Sequence, residues 1–116
     1  MKTKIVISNN FEREAKRFLK KYNSLKSELK ILYSELNINP LIGTPIGNDA
    51  RKIRLKVKSK GKGKRGGLRV ITYLEVDILF DEISNTLFLL TIYDKSETDT
   101  ISEKEILRII FKLNSE

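Results

Sequence analysis

The sequence predicts an α+β domain: an antiparallel sheet packed by helices on one face. Three observations predict it. Apolar residues recur at helical spacing over 11–36 and again over 106–113, but alternate with period two over 53–57 and run β-branched and aromatic over 68–76 and 88–93. The helices and strands come in runs rather than in alternation, which argues against a doubly wound parallel sheet. The chain has 116 residues, 40 % of them apolar, so residues 1–116 make one domain able to support its own core.

Each element has its own signal. Residues 2–7 read as a short strand through Ile5, Val6 and Ile7. Asn9-x-x-Glu12 reads as a capping box, and Phe11, Ala15, Phe18, Leu19 and Tyr22 then mark one face of a helix. Asn23-Ser24 interrupts, and Leu25, Leu29, Leu32, Tyr33 and Leu36 make a second face, as two antiparallel helices or one kinked helix. Residues 37–49 are turn-like, with Asn39-Pro40, Gly43, Pro45 and Gly47-Asn48. Ile53, Leu55 and Val57 alternate with Lys52, Arg54, Lys56 and Lys58, a strand with one apolar and one cationic face. Residues 59–67 read as a flexible glycine-rich loop. Leu68 to Val76 is the next strand, 78–83 extends or bends it, Asn85 is a turn candidate, and Phe88 to Tyr93 is the last strand. Ser102-x-x-Glu105 opens a final helix with Ile106, Leu107, Ile110 and Leu113 on one face, widened by Ile109 and Phe111. The order is β-α-α-β-β-β-α.

The net charge of +8 is unevenly placed. Residues 51–69 hold ten basic and no acidic side chains, so this block carries +10 and the rest of the chain −2. Such a block repels itself unless it is solvated or bound to an anion, and nucleic acid is the partner it suggests. A membrane surface would need an amphipathic basic helix, and period two is the wrong pattern for one. The absent residues matter equally. With no Cys there are no disulfides, no Cys-based zinc site and no thiol nucleophile; with no His the commonest general base and metal ligand is gone. No signal peptide or membrane span is visible, so the expectation is a soluble, cytoplasmic protein.

The order of elements, with Arg51-Lys52-Ile53-Arg54-Leu55, the basic glycine-rich loop and Gly67-Leu68-Arg69-Val70-Ile71-Thr72-Tyr73, resembles the RelE/ParE superfamily of bacterial type II toxins. Ile92-Tyr93-Asp94-Lys95-Ser96-Glu97, followed by Ile101-Ser102-x-x-Glu105, is most similar to its RelE-like HigB branch. The resemblance spans roughly Val6 to Leu113 and rests on order and spacing together. It implies an mRNA interferase, a small endoribonuclease that enters the ribosomal A site and cuts mRNA, so inhibiting translation and growth. The implied partners are the ribosome, mRNA and a cognate antitoxin with a helix-turn-helix part; operator DNA would be met only through that antitoxin. Lys52 and Arg54 match the family's basic strand positions, Arg69 its arginine after the glycine, and Lys95 and Glu97 fall in the functional segment after the last strand. The arginine expected near 96 is Ser96, and Ile101 lies where a tyrosine would.

RNA supplies its own nucleophile, the 2′-OH. Cleavage requires that hydroxyl to lose a proton, the phosphorane charge to be stabilised and the 5′-oxygen to be protonated, with no metal or cofactor required. Without His the available groups are Lys, Arg, Glu, Asp and Tyr. Like-charge repulsion among clustered cations favours a neutral lysine, which can act as base. Arg54 and Arg69 are therefore expected to clamp the phosphate, with Lys52 or Lys95 moving protons and Glu97 an alternative base or an orienter of Lys95. Lys56, Lys58, Lys60, Lys62, Lys64 and Arg65 read as backbone-phosphate contacts to RNA or the ribosome. Tyr73 shares the strand parity of Arg69 and is either a base-stacking platform or a partly buried sheet residue. Tyr93 reads as structural first and as a substrate contact second, and the acidic stretch from Glu75 to Glu105 as mostly surface. Two other readings compete: a ParE-like inhibitor of DNA gyrase on the same fold, and a non-enzymatic basic RNA-binding protein.

Overall fold

A computed structural model describes residues 2–60, 67–80 and 82–116, without the side chains of Lys2 and Leu79. The expected order holds, with one added strand: β1 (Lys2–Ile7), α1 (Asn9–Lys21), α2 (Leu25–Ile38), β2 (Thr44–Gly47), β3 (Ala50–Leu55), β4 (Leu68–Leu79), β5 (Glu82–Asp94) and α3 (Glu103–Lys112). Short 3₁₀ turns follow β3 at Lys58–Lys60 and α3 at Leu113–Ser115. The five strands form one sheet in the order β1-β5-β4-β3-β2.

The meander β3-β4-β5 is antiparallel as expected, but β1 pairs parallel with β5, so the sheet is mixed. The α1–α2 segment supplies the long crossover between the ends of β1 and the meander that a parallel neighbour requires. The helices also divide between the two faces, correcting the expectation of one. Phe11, Ala15 and Phe18 of α1 and Leu25, Leu32 and Leu36 of α2 pack on Ile53, Leu68, Val70, Leu87, Leu89 and Ile92. On the opposite face Ile106 and Ile109 of α3 pack on Ala50, Ile71, Leu90 and Tyr93. A single wide helical layer was not available to α3, because α1 and α2 already fill the first face.

Local chemistry sets the ends of these elements. Ser8, not Asn9, caps α1: its Oγ accepts from the Phe11 N–H at 3.0 Å and donates to the Leu90 carbonyl at 2.8 Å. Asn23-Ser24 does separate two helices, and Leu19 and Tyr33, expected in the core, are exposed. The 37–49 stretch yields β2 as well as turns, and Asn48 and Asp49 both take positive φ (57° and 60°) in its two-residue link to β3, the geometry such hairpins need. The strand expected to run to Lys58 stops at Leu55. Asn85 is no turn; it is buried within β5, and the hairpin reverses at Phe80, which has φ 53°. Ser102 accepts from the Glu105 N–H at 3.1 Å as predicted, but the Glu105 carboxylate turns to Arg108 instead of closing the box.

Candidate nucleic-acid interface

The α3 face of the sheet carries the cations. Register places Arg54 of β3 opposite Arg69 of β4, and Arg69 opposite Tyr93 of β5; Lys52 pairs with Ile71 one step along the same face. Directly paired residues on one face have Cβ atoms about 5 Å apart, so Arg54, Arg69 and Tyr93 form a row across three strands. Their exposures differ. Arg54 is exposed and Lys52 half-buried, but Arg69 is only 3 % exposed and donates to the Leu68 carbonyl at 3.4 Å. Burial pushes the Tyr93 phenol up, while a backbone hydrogen bond at Ile101 and the Arg69 charge pull it down. Arg69 is thus close enough for its field to act on the Tyr93 oxygen.

Tyr73 lies further along β4 on this face and stacks on Phe88, with ring centroids 5.9 Å apart. Burial pushes its phenol up, and the carboxylates of Glu75, Asp49 and Asp77 push in the same direction. The face therefore runs from cationic at Arg54 and Arg69, through Tyr73, to acidic at Glu75 and Asp77.

Two of the expected residues, Glu97 and Lys60, are engaged by partners elsewhere. Glu97 pairs with Arg17 of α1 at 3.0 and 3.1 Å, away from the arginine row. Lys95 is exposed in the turn after β5. Lys60 turns inward: its ammonium lies 3.3 Å from Asp94 and 5.9 Å from the Tyr22 ring centroid. Lys56 and Lys58 remain exposed, and the Lys58 N–H donates to Glu28 at 2.7 Å. Lys62, Lys64 and Arg65 lie outside the described residues.

The partner that draws Lys60 inward is Asp94, a member of the acidic stretch expected to be mostly surface. Asp94 is 1 % exposed. It accepts from the Tyr22 hydroxyl at 3.2 Å and from the N–H and hydroxyl of Ser96 at 2.9 and 2.8 Å. Burial alone would raise its carboxyl; the Ser96 hydrogen bonds and the Lys60 ammonium outweigh that and hold it below the ordinary value. The signal in the sequence was Asp94-x-Ser96, a pattern in which an Asp side chain closes a turn on the backbone two residues on. Ser96, where the resembled family has an arginine, is used for that closure. Among the described residues no three His, Cys, Asp or Glu side chains cluster as metal ligands, and no helix is long and apolar enough to cross a membrane.

Neither a family model nor a solved structure matches the chain. The site is a row of exposed Arg54, buried Arg69 and Tyr93 across three strands, with Lys52 on the same face.

Proposed function

We propose that the protein is an endoribonuclease of the RelE-like toxin type, cutting mRNA on the ribosome and held inactive by a cognate antitoxin. The observation that supports this most is the Arg54–Arg69–Tyr93 row, with Lys52 on the same face. Arg54, the exposed member, meets the scissile phosphate. Arg69 adds positive potential from beside it in a setting drier than water, where a fixed charge stabilises a developing phosphorane dianion more strongly. Lys52 moves a proton between the 2′-OH and the leaving 5′-oxygen. Lys95 remains a second candidate for that transfer. Glu97, engaged by Arg17, is the weaker candidate for the base.

The test uses programmed ribosomes and the purified protein, with mRNA ends mapped by primer extension. Codon-positioned cuts are expected from the unaltered chain, and Arg54→Ala should slow them by about a hundredfold or more while leaving the fold intact. Intact messages together with gyrase-dependent DNA breaks would point to the ParE-like reading. RNA binding without either activity would leave a non-enzymatic RNA-binding protein.

A further inference from the structure

Beyond the cation row, the β4 strand of the β4–β5 hairpin outruns its neighbour β3. β3 pairs with β4 only from Leu68 to Tyr73, and the last bond on that side runs from the Leu74 N–H to the Asp49 carbonyl at 3.0 Å. β4 nevertheless continues to Leu79, paired on its other side with β5 down to Glu82. Among the described residues no strand covers the outer edge of β4 from Glu75 to Leu79. In an antiparallel strand alternate residues direct both backbone groups to the same side, so Val76 and Ile78 share the direction of Leu74. Their N–H and C=O groups therefore face the open edge.

The side chains beside this edge are sorted by face. On the α1–α2 side stand Val76 and Ile78, with Ile83 opposite Ile78, exposed 53 %, 71 % and 52 %, and Phe80 at the turn is 90 % exposed. On the other side stand the exposed carboxylates of Glu75 and Asp77. At its base the edge opens on a cavity of about 540 Å³ whose walls include Leu41, Pro45, Tyr73 and Val76. An exposed, apolar, unpaired edge is a template for one more strand.

Charge selects the occupant. Were a second copy to pair here, the two-fold register joining Val76 to Ile78 would set Asp77 against Asp77. The register joining Val76 to Val76 would set Glu75 against Asp77. Like charges directly opposite destabilise a sheet. A strand with basic residues on the carboxylate side and apolar residues on the other meets no such conflict. The protein's own β3 has that alternation, Lys52-Ile53-Arg54-Leu55, and holds it against β4 further down.

We infer that the open edge of β4 at Val76–Ile78 is a docking site for an extended protein segment alternating Lys or Arg with apolar residues, added as a further strand. The inference stands independently of the nuclease reading, since it uses neither the arginine row nor catalysis.

Amide hydrogen exchange by NMR tests it, with a short peptide of alternating Lys and Val as probe. In the protein alone the Val76 and Ile78 amides should exchange fast; with the peptide they should slow about tenfold or more. A Glu/Val peptide should have no effect. Val76→Pro removes one edge-facing N–H without touching a β5 pair and should abolish the protection. The double change Glu75→Lys and Asp77→Lys should reverse the preference, so that the Glu/Val peptide protects and the Lys/Val peptide does not. Equal effects of the two peptides, or none, overturn the proposal. So does protection that appears without peptide as protein concentration rises, which assigns the edge to a second copy. Protection by a single-stranded RNA oligonucleotide instead of the peptide overturns it as well.

Discussion

Asp94 is the residue on which most of the local arrangement converges. One carboxylate joins α1 through Tyr22, the turn after β3 through Lys60, and the turn after β5 through Ser96. Removing it strands a nearly buried ammonium, so Asp94→Ala should lower stability by about 3 kcal/mol in urea unfolding. Its pH dependence has a definite sign. The folded carboxyl is held below its ordinary value of 3.8, so its contribution is complete above that value and is lost as pH falls below it. Acid titration of stability should therefore be steeper for the unaltered chain than for Asp94→Asn below about pH 4. Arg54 behaves oppositely. It is exposed, and Arg54→Ala should change stability by less than about 0.5 kcal/mol, so any loss of RNA cleavage by that variant reports on chemistry. Arg69→Ala offers no such separation, because it also empties a buried position.

At the scale of elements, caps and turns decide where each segment begins and which way it faces. The Ser8 hydroxyl both caps α1 and ties it to the Leu90 carbonyl, so Ser8→Ala should cost about 1 to 2 kcal/mol by the same unfolding measurement. Gly43 sits at φ 111°, and a Cβ there would come 2.9 Å from both Ile53 Cγ1 and the Lys52 carbonyl oxygen. Gly43→Ala should accordingly destabilise by more than about 1 kcal/mol and disturb β3 at Lys52. Helical spacing located α1, α2 and α3 because each buries a stripe of its own residues, and period two located β3 for the same reason. The β4–β5 hairpin was harder to read. Its tip is apolar yet exposed, so burial gives no pattern there, and the turn forms at Phe80 rather than at the better turn former Asn85. A register shift between Ile71 and Thr72 also inserts Leu90 into the alternation of β5. It moves Ile92 and Asp94 onto the α1–α2 face and leaves Tyr93 beside Arg69, a change that plain alternation over 87–93 cannot anticipate.

For the whole molecule, the governing quantity is the separation of charge along one sheet face. The cationic end lies under Arg54 and Lys52, and the acidic end on the projecting hairpin. RNA binding should weaken linearly in log Kd against log salt, and Arg54→Ala should reduce the slope by about 0.7, the value for one contact to single-stranded phosphate. A slope unchanged by that variant would remove Arg54 from the interface. The sequence by itself determined the order of every main element but β2, the helical faces, the alternating cationic strand and the concentration of +10 in residues 51–69, because these depend on spacing and composition within a few turns of chain. Only the tertiary structure decided which strands are neighbours and where the bulge falls. It also decided that α3 takes the opposite face, that Arg69 is buried beside Arg54, and that Lys60 belongs to Asp94. Those are outcomes of long-range packing, in which the buried area and the partners of each charge are set by residues distant in sequence.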